Sequence, residues 1–433
     1  MSPASPAPTL HDIAQRLQGY DPQALSAAHV QAFLAELVHP VTAHESVTPA
    51  EALDRILAQD VISPISVPPH DNSAMDGYAL RGQDLNTDGP TRLRVAEGTA
   101  FAGAAWRGDC PSGHALRIMT GAIMPPGLDT VVPQELVQTE DGHIVIPAGL
   151  LQAGDNRRLM GEDLMQGRPA LAAGTRLGPA ACGLVASLGL ASVPVCRRLR
   201  VAYFSTGDEI LSLGQPPREG AVYDSNRYTV RGMLSRLGCE VIDLGVVPDQ
   251  ADALRQAFEQ AAAQADAIIT SGGVSVGEAD HTKALMRELG DVAFWRIAMR
   301  PGRPMAVGRM QDASGRPVVL FGLPGNPVAV MVTFIAFVRP ALQRMMGWQA
   351  PPMPWLRARA TDTLRKKPGR TEYQRGVVRM GADGMPEVTV MGNQGSGVLR
   401  SMVEANGLIV LHHEQASVVP GDWVDVLMFD GVL

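Results

Sequence analysis

The chain has few cysteines, no long apolar run and no apolar leader. Its four cysteines are widely separated and form no CxxC pair, which argues against a zinc site or a disulfide framework and favours a reducing compartment. The first residues lack a basic start followed by an apolar run, and no segment reaches the ~20 apolar residues of a membrane span. We therefore expect a cytoplasmic protein without a membrane partner.

Positive charge is also scarce. The net charge is −7, so the broad basic face that nucleic acid requires is not expected. No GxGxxG motif follows the first strand of the predicted α/β region, which disfavours a nucleotide-binding oxidoreductase. An anionic ligand must therefore be held by local positive charge.

What the chain does have is length, 433 residues of which 45% are hydrophobic, and this favours several compact units. Apolar spacing and turn signals divide the sequence. We predict a disordered tail (1–25), a helical domain split in two (26–65 and 164–196), an inserted β domain (66–163), an α/β domain (197–348) and a C-terminal β-barrel or sandwich (353–433).

Local patterns support this division. The spacing from Val30 to Leu37 predicts a helix, and Thr48-Pro49 is expected to start a second helix that passes Leu57. Asp141-Gly142 predicts a hairpin turn in the β domain. Strands and helices alternate from Arg200 to Met346, the pattern of βαβ units in a mainly parallel sheet.

The stretch from Asp266 to Leu289 reads as strand, glycine loop and helix. A short apolar run ends in Ser271-Gly272-Gly273, and Asp280 opens a helix-like segment. Glycines let a phosphate approach the backbone, and the first N–H groups of a helix supply positive potential. The sequence therefore predicts a phosphate site.

Acidic residues follow three predicted parallel strands, at Glu209, Asp249 and Asp280. Because the ligand of such a sheet lies beyond the C-terminal ends of its strands, the three could share one pocket. Hard oxygen ligands beside a phosphate loop suit Mg²⁺. Taken singly, Asp249 and Asp280 are better explained as helix N-caps.

Local positive charge occurs in the segment WRIAMRPGRP, which contains Arg296, Arg300 and Arg303 at the end of a strand. Arginine is permanently charged and presents a planar fork to oxyanions. The loop Pro324–Pro327 follows the last strand, where a turn before a proline helix start explains it equally well. Segments 71–78, 157–163, 369–375 and 392–397 are read on their own as turns or solvated loops.

Taken together, these stretches resemble the molybdopterin molybdenumtransferase family, which includes MoeA and the E domain of gephyrin. The matching motifs, in the family's order, are DNSAMDGYA, RIMTGA, RRLMGED, STGDE, SGGVSVGEAD, PGRP, GLPGNP and GNQGSG. The resemblance implies an L-shaped homodimer of four-domain subunits, with an α/β domain of the molybdopterin-binding type and a helical domain split by the β domain. For the C-terminal domain we predict the β-barrel.

The resemblance also implies a reaction, in which adenylylated molybdopterin and molybdate give molybdenum cofactor and AMP. Glu209, Asp249 and Asp280 match family acids tied to metal and phosphoanhydride cleavage. The substrate-binding residues carried over for the glycine loop and the last strand end are Ser271, Gly272, Gly273, Ser275, Gly277, Pro324, Gly325, Asn326 and Pro327.

Further positions come from the other domains. Functional residues of the family's β domain, which reaches the active site of the second subunit, correspond to Asp76, Thr120 and Asp163. Arg296 and Arg300 stand where the family usually has lysine. The resemblance assigns anion or molybdate binding to Arg296, Arg300, Arg375 and Ser396.

Two other functions stay open at this point. One is molybdopterin adenylyltransferase, which shares the α/β domain but needs only that domain. The other is a non-catalytic scaffold that binds partner proteins, as the gephyrin relative does. A molybdopterin adenylyltransferase is also a possible partner that delivers the substrate.

Overall fold

The computed structural model describes residues 8–273 and 281–433. In that part of the chain, three six-stranded sheets form the inserted region, the α/β region and the C-terminal region, and two-stranded ribbons join or flank them. This arrangement confirms the predicted fold class, multidomain α/β plus β.

The N-terminal segment corrects a prediction. We call residues 8–25 the N-terminal arm; we predicted a disordered tail, but this arm is ordered. Helix α1 spans Leu10–Arg16, and Thr9 with Asp12 forms a capping box at its start. Ile13 and Leu25 are buried. The arm is ordered although it has few apolar residues, because it packs against the α/β domain, which supplies the rest of the shared core.

Residues 26–65 contain one helix where two were predicted. Their elements are α2 (Ala27–Leu37), β1 (His44–Val47) and β2 (Val61–Ile62). The second helix, expected from Thr48, is wrong. Asp54 has φ 62°, a left-handed conformation that an α-helix cannot contain. Ile56 and Leu57 instead form bridges to the returning chain.

The inserted domain is built on a sheet in the order β7-β4-β6-β5-β9-β8. Its strands are β3 (Asn72–Ser73), β4 (Gly77–Leu80), β5 (Thr91–Ala100), β6 (His114–Ile118), β7 (Thr130–Pro133), β8 (Gln138–Glu140), β9 (His143–Ile146) and β10 (Arg157–Arg158). The hairpin at Asp141-Gly142 is confirmed: both residues have positive φ, and β8 pairs antiparallel with β9. Short 3₁₀ turns lie at Gly82–Asp84 and Gln134–Leu136.

The chain then returns to the segment that preceded the insertion. The returning elements are β11 (Pro169–Leu171), α3 (Pro179–Ser187) and β12 (Val193–Cys196). β1 pairs with β12 and β2 with β11, both antiparallel. Leu57, Leu177, Val185 and Val195 are buried in their shared core. Helix α2 packs elsewhere, because its Phe33 belongs to the core of the α/β domain.

The α/β domain contains the mixed sheet β16-β13-β17-β21-β20-β18. Its strands are β13 (Arg200–Thr206), β14 (Ile210–Leu211), β15 (Val222–Tyr223), β16 (Glu240–Val247), β17 (Ala267–Ser271), β18 (Gly290–Arg296), β19 (Met299–Arg300), β20 (Pro304–Gln311) and β21 (Pro317–Leu323). Its helices are α4 (Ser225–Leu237), α5 (Ala251–Gln264), α6 (His281–Leu289), α7 (Pro327–Thr333) and α8 (Arg339–Met345), the last two joined by a π-helical turn at Phe334–Val338. β16, β13, β17 and β21 are parallel, as predicted, while β20 is an antiparallel strand that the sequence analysis missed.

The C-terminal region is a closed barrel. Its elements are β22 (Leu356–Ala360), β23 (Thr371–Met380), β24 (Pro386–Val390), α9 (Arg400–Glu404), β25 (Gly407–Leu411) and β26 (Trp423–Met428). The order β23-β24-β22-β26-β25 closes through a β23–β25 pairing, which confirms the barrel. Part of segment 369–375, read as a loop, is the start of β23.

One helical run, Pro327–Met345, is long and apolar enough to cross a membrane by length and composition, which the sequence analysis did not expect. Most of it, 83%, is buried inside the protein. A core helix of a folded domain meets the same criterion, and this run packs against α2 and the α/β sheet.

The packed arm generates a prediction. Ile13→Ala removes a fully buried side chain and should lower the free energy of unfolding by about 2–4 kcal/mol. The control Gln18→Ala changes an exposed residue of the same arm and should have little effect. Urea unfolding followed by fluorescence measures both; equal stabilities would show that the arm does not pack.

Candidate active site

Four parallel strands of the α/β sheet end side by side at one edge, which we call the strand-end edge. In the sheet register, Ser205 of β13 lies beside Ser271 of β17, and Ser271 lies beside Leu323 of β21. The loops that leave this edge contain the candidate residues Glu209, Asp249, Gly272, Gly273, Pro324, Gly325 and Asn326. The sheet therefore brings the predicted acids, the glycine loop and the loop after β21 to the same edge.

The glycine loop lies close to its neighbours. Gly272 has φ 90°, and a Cβ there would lie 2.2 Å from the carbonyl oxygen of Thr206. Gly273 has φ 65°, and its Cβ would lie 2.7 Å from Thr282. The Thr282 hydroxyl donates to the Asp249 carboxylate at 3.3 Å, which links the start of α6 to the loop after β16. Only glycine fits these two positions.

Three predicted residues of this region, Ser275, Gly277 and Asp280, lie outside the described residues. The structure therefore gives no position for the acid that the sequence analysis placed at the start of α6.

A buried network of hydroxyl groups underlies the strand-end edge. The Tyr203 hydroxyl lies 2.8 Å from the Ser205 hydroxyl and 2.6 Å from that of Ser271. Burial raises the pKa of Tyr203 well above its usual value, so the phenol stays neutral. The buried Oγ1 atoms of Thr206 and Thr270 have no partner among the described residues. Neutral hydroxyls thus hold the strand ends together without adding charge.

Two of the three predicted metal ligands are described. Glu209 is exposed and Asp249 is half-buried, at the ends of the neighbouring strands β13 and β16. Within residues 8–273 and 281–433, no three His, Cys, Asp or Glu side chains come together as a metal site. Mg²⁺ commonly takes one or two carboxylates and completes its shell with water and substrate phosphates, so this donor set suits it.

A cleft of 740 Å³ lies between the α/β domain and the barrel, and we call it the interdomain cleft. It forms where β19 pairs with β23, which places Arg300 beside Glu372. Arg300 and Arg303 line the cleft, are exposed, and form no ion pair within the described part of the chain. Arg370 also lines it but is paired with Glu372 at 2.6 Å. The cleft therefore carries net positive potential from two unpaired arginines.

Two loops meet at the cleft from opposite domains. The Asn326 amide donates to the Ser396 hydroxyl at 3.0 Å, and the Val328 N–H donates to the Ser396 carbonyl at 3.0 Å. From below, the Asn226 amide donates to the Gly325 carbonyl at 2.7 Å. Pro324, Gly325, Asn326 and Ser396 line the cleft. Pro327 starts helix α7 directly behind them.

Arg375 lies beneath this barrel loop. It is 1% exposed, and its guanidinium donates to the carbonyls of Asn393 and Gly395 and to the Ser401 hydroxyl. Burial, with a smaller contribution from Arg300, lowers the pKa of Arg375 to about 10. These contacts make Arg375 a residue that positions the loop carrying Ser396, whereas Ser396 itself faces the cleft.

Arg296 is placed differently from Arg300. Its side chain is exposed at the end of the edge strand β18. Its main-chain N–H donates to the Pro22 carbonyl at 2.8 Å. It is not among the residues that line the interdomain cleft. The structure thus separates two arginines that the sequence analysis treated alike.

The candidate residues of the inserted domain lie apart from the cleft. The Asp76 carboxylate accepts hydrogen bonds from the Thr120 N–H and hydroxyl, both at 2.7 Å, and these bonds lower the pKa of Asp76. Asp163 is exposed, and its N–H donates to the Val67 carbonyl. Among the described residues, no hydrogen bond joins these three to the α/β domain or the barrel.

Sequence reasoning missed several residues of the cleft region. Arg370 stands in a segment that was read as a loop, and Gln23 stands in the arm that was read as disordered. Asn226, which holds the Gly325 loop, was not singled out as a candidate. The basic pair in GRTEYQR was a usable signal for Arg370, but nothing local marks Gln23 or Asn226.

Comparison with known proteins agrees with this geometry. Three family models match: the MoeA N-terminal region (domain I and II) over residues 25–189, a probable molybdopterin binding domain over 202–344, and the MoeA C-terminal region (domain IV) over 357–429. A molybdopterin molybdenumtransferase of Haemophilus influenzae is 45% identical over 387 residues, covering 88% of this chain and 93% of the relative. The chain belongs to the molybdopterin molybdenumtransferase family.

Other members of this family support the assignment. A molybdopterin molybdenumtransferase of Nostoc is 37% identical, with 86% of each chain covered. The crystal structure of a molybdopterin biosynthesis moeA protein from Pyrococcus horikoshii has a TM-score of 0.80 at 25% identity, covering 94% of this chain and 100% of that one. As a member of the family, the chain is a transferase of molybdenum cofactor biosynthesis.

The close approach at Gly272 generates a prediction. Gly272 has a left-handed backbone, and in Gly272→Ala the new Cβ would clash with the Thr206 carbonyl oxygen. The loop must therefore shift, and we expect pyrophosphate to bind at least about tenfold more weakly. The control Gly232→Ala lies on the exposed face of α4 in the same domain, has open space around its Cβ and no positive φ, and should leave binding unchanged. Calorimetric titration with pyrophosphate compares them, and equal affinities would contradict a role for the glycine loop.

Proposed function

We propose that this transferase inserts molybdenum into molybdopterin, converting adenylylated molybdopterin and molybdate to molybdenum cofactor and AMP in a Mg²⁺-dependent reaction. The observation that carries the proposal is the interdomain cleft, where Arg300 and Arg303 have no ion-pair partner among the described residues. The cleft shares the Pro324–Asn326 loop with the strand-end edge. A positively charged pocket thus adjoins a phosphate-type loop.

Molybdate is the ligand that suits the cleft. It is a tetrahedral dianion, and arginines with nearby amide and hydroxyl donors bind such oxyanions well. Arg300 and Arg303 supply charge, while Asn326 and Ser396 add polar side chains to the lining of the same cleft. Ser275, Gly277 and Asp280, which lie outside the described residues, are not needed for this part of the proposal. Arg296 contributes long-range charge only.

The phosphate groups of the adenylylated pterin suit the glycine loop. Gly272 and Gly273 let an anion approach the main chain, and the Gly272 N–H already donates to the Leu323 carbonyl, which joins this loop to the last strand end. Glu209 and Asp249 would hold Mg²⁺ there, with Asp280 as a further carboxylate. When bound, the metal would stabilise negative charge on the departing phosphate.

The proposal includes a homodimer in the cytoplasm. Asp76, Thr120 and Asp163 lie in the inserted domain and make no described hydrogen bond to the cleft of their own chain. We propose that they act at the cleft of a second subunit. A molybdopterin adenylyltransferase would supply the adenylylated substrate.

The alternatives differ in their products. A molybdopterin adenylyltransferase would release pyrophosphate from ATP, whereas the proposed reaction releases AMP. A scaffold would release neither.

The decisive experiment measures AMP release from adenylylated molybdopterin by chromatography, with and without molybdate and Mg²⁺. We expect release that requires both. Asp249→Asn should reduce the rate by about a hundredfold or more, in the range seen when groups acting on a transition-state charge are removed. No AMP release under any condition would overturn the proposal.

The arginine pair gives a matched test. Arg300→Ala removes a cleft-lining charge and should raise the molybdate Kd by about tenfold to a hundredfold, since hydrogen bonds to charged groups contribute ~1.5–3 kcal/mol. Arg296→Ala removes the same charge four residues away, outside the cleft lining, and should change Kd by less than about threefold, as expected for a screened charge. Equilibrium dialysis with molybdate measures both, and a larger effect at Arg296 would contradict the assigned wall.

A further inference from the structure

The N-terminal arm contacts the end of β18 and the link between β18 and β19, directly before the cleft arginine Arg300. Its main chain runs parallel to residues 296–298. The Leu25 N–H donates to the Arg296 carbonyl at 3.2 Å, and the Leu25 carbonyl accepts from the Ala298 N–H at 2.7 Å. Together with the bond from the Arg296 main-chain N–H to the Pro22 carbonyl, these contacts form a single parallel bridge at the edge of the α/β sheet.

Side chains fix the arm in this position. The Trp295 indole N–H donates to the Tyr20 hydroxyl at 2.9 Å, and the Tyr20 ring stacks on Phe33 of α2 with ring centroids 6.0 Å apart. Farther back, the Arg309 guanidinium donates to the Pro8 carbonyl. The arm is therefore attached at both of its ends.

Ala298 links the arm to the barrel. Its N–H donates to Leu25 of the arm, and its carbonyl accepts from the Thr371 N–H at 2.9 Å, at the start of β23. Arg300 follows two residues later and pairs with the same barrel strand. The arm thus supports, through one residue, the segment that presents Arg300 to the cleft.

Gln23 and Ala24 themselves line the interdomain cleft. A turn fixes their main chain: the Gln23 N–H donates to the Asp21 carboxylate at 2.9 Å, and the Ala24 N–H donates to the Asp21 carbonyl at 3.1 Å. The Gln23 side chain is exposed and forms no hydrogen bond within the described residues. Its amide is free to donate to a ligand, on the wall shared with Arg300.

From these contacts we infer that the N-terminal arm is a functional wall of the cleft, with Gln23 as a specificity-determining residue that contacts a bound oxyanion. The oxyanion is molybdate or a phosphate group of the adenylylated pterin, so this inference rests on the proposed function. The match to the MoeA N-terminal family model begins only at residue 25, at the end of the arm.

A pair of variants that introduce a negative or a positive charge at Gln23 of the full-length protein tests the inference. Gln23→Glu should weaken oxyanion binding about fivefold at low salt, and Gln23→Lys should strengthen it by a similar factor, because the charge is added at the cleft wall. Both shifts should shrink at high salt. The matched controls Gln18→Glu and Gln18→Lys change an exposed glutamine of the same arm that does not line the cleft, and should leave Kd within about twofold.

Calorimetric titrations with molybdate alone and with AMP alone provide the readout, and melting temperatures confirm that all variants fold. Opposite shifts for Gln23 and none for Gln18 support the inference; a shift confined to molybdate or to AMP identifies the oxyanion. No shift at Gln23, or equal shifts at both positions, overturns it while wild-type binding leaves the proposed function intact. A wild-type chain that binds neither probe overturns the proposed function and, with it, this inference.

Discussion

The interdomain cleft depends on a two-residue strand. Met299 and Arg300 leave the α/β sheet and pair in parallel with Thr371 and Glu372 of the barrel. Main-chain hydrogen bonds fix both distance and direction, so this pairing sets the spacing between the domains more strictly than side-chain packing alone would. It also decides which arginine faces the cleft, because a one-residue shift in register would turn Arg300 to the other face.

Charge in the cleft region is arranged in two layers. The exposed arginines, Arg300 and Arg303, are available to a ligand, whereas the buried Arg375 satisfies its donors on main-chain carbonyls and one hydroxyl. A buried cation without such acceptors would be costly, so the loop and Arg375 stabilise each other. The inner arginine positions the loop that carries Ser396 and adds positive potential behind the exposed arginines.

Much of the fold follows from local patterns in the sequence. The alternation of strands and helices predicted the parallel strands, and Asp141-Gly142 predicted its hairpin, because both signals act within a few residues. The predicted helix after Thr48 failed because contacts with the returning chain override its propensity. The arm was missed because most of the apolar surface that orders it belongs to another domain. Arg296 and Arg300 look equivalent in sequence, and only the strand pairing separates them.

The insertion leaves and rejoins the chain at residues that pair directly, since Val67 and Leu164 form a bridge with hydrogen bonds in both directions. In topological terms the inserted domain is a side branch. Whole strands can be gained or lost within it without changing the path of the chain that builds the strand-end edge. The candidate residues of the inserted domain are therefore held by that branch itself, and not by the path of the chain that builds the cleft.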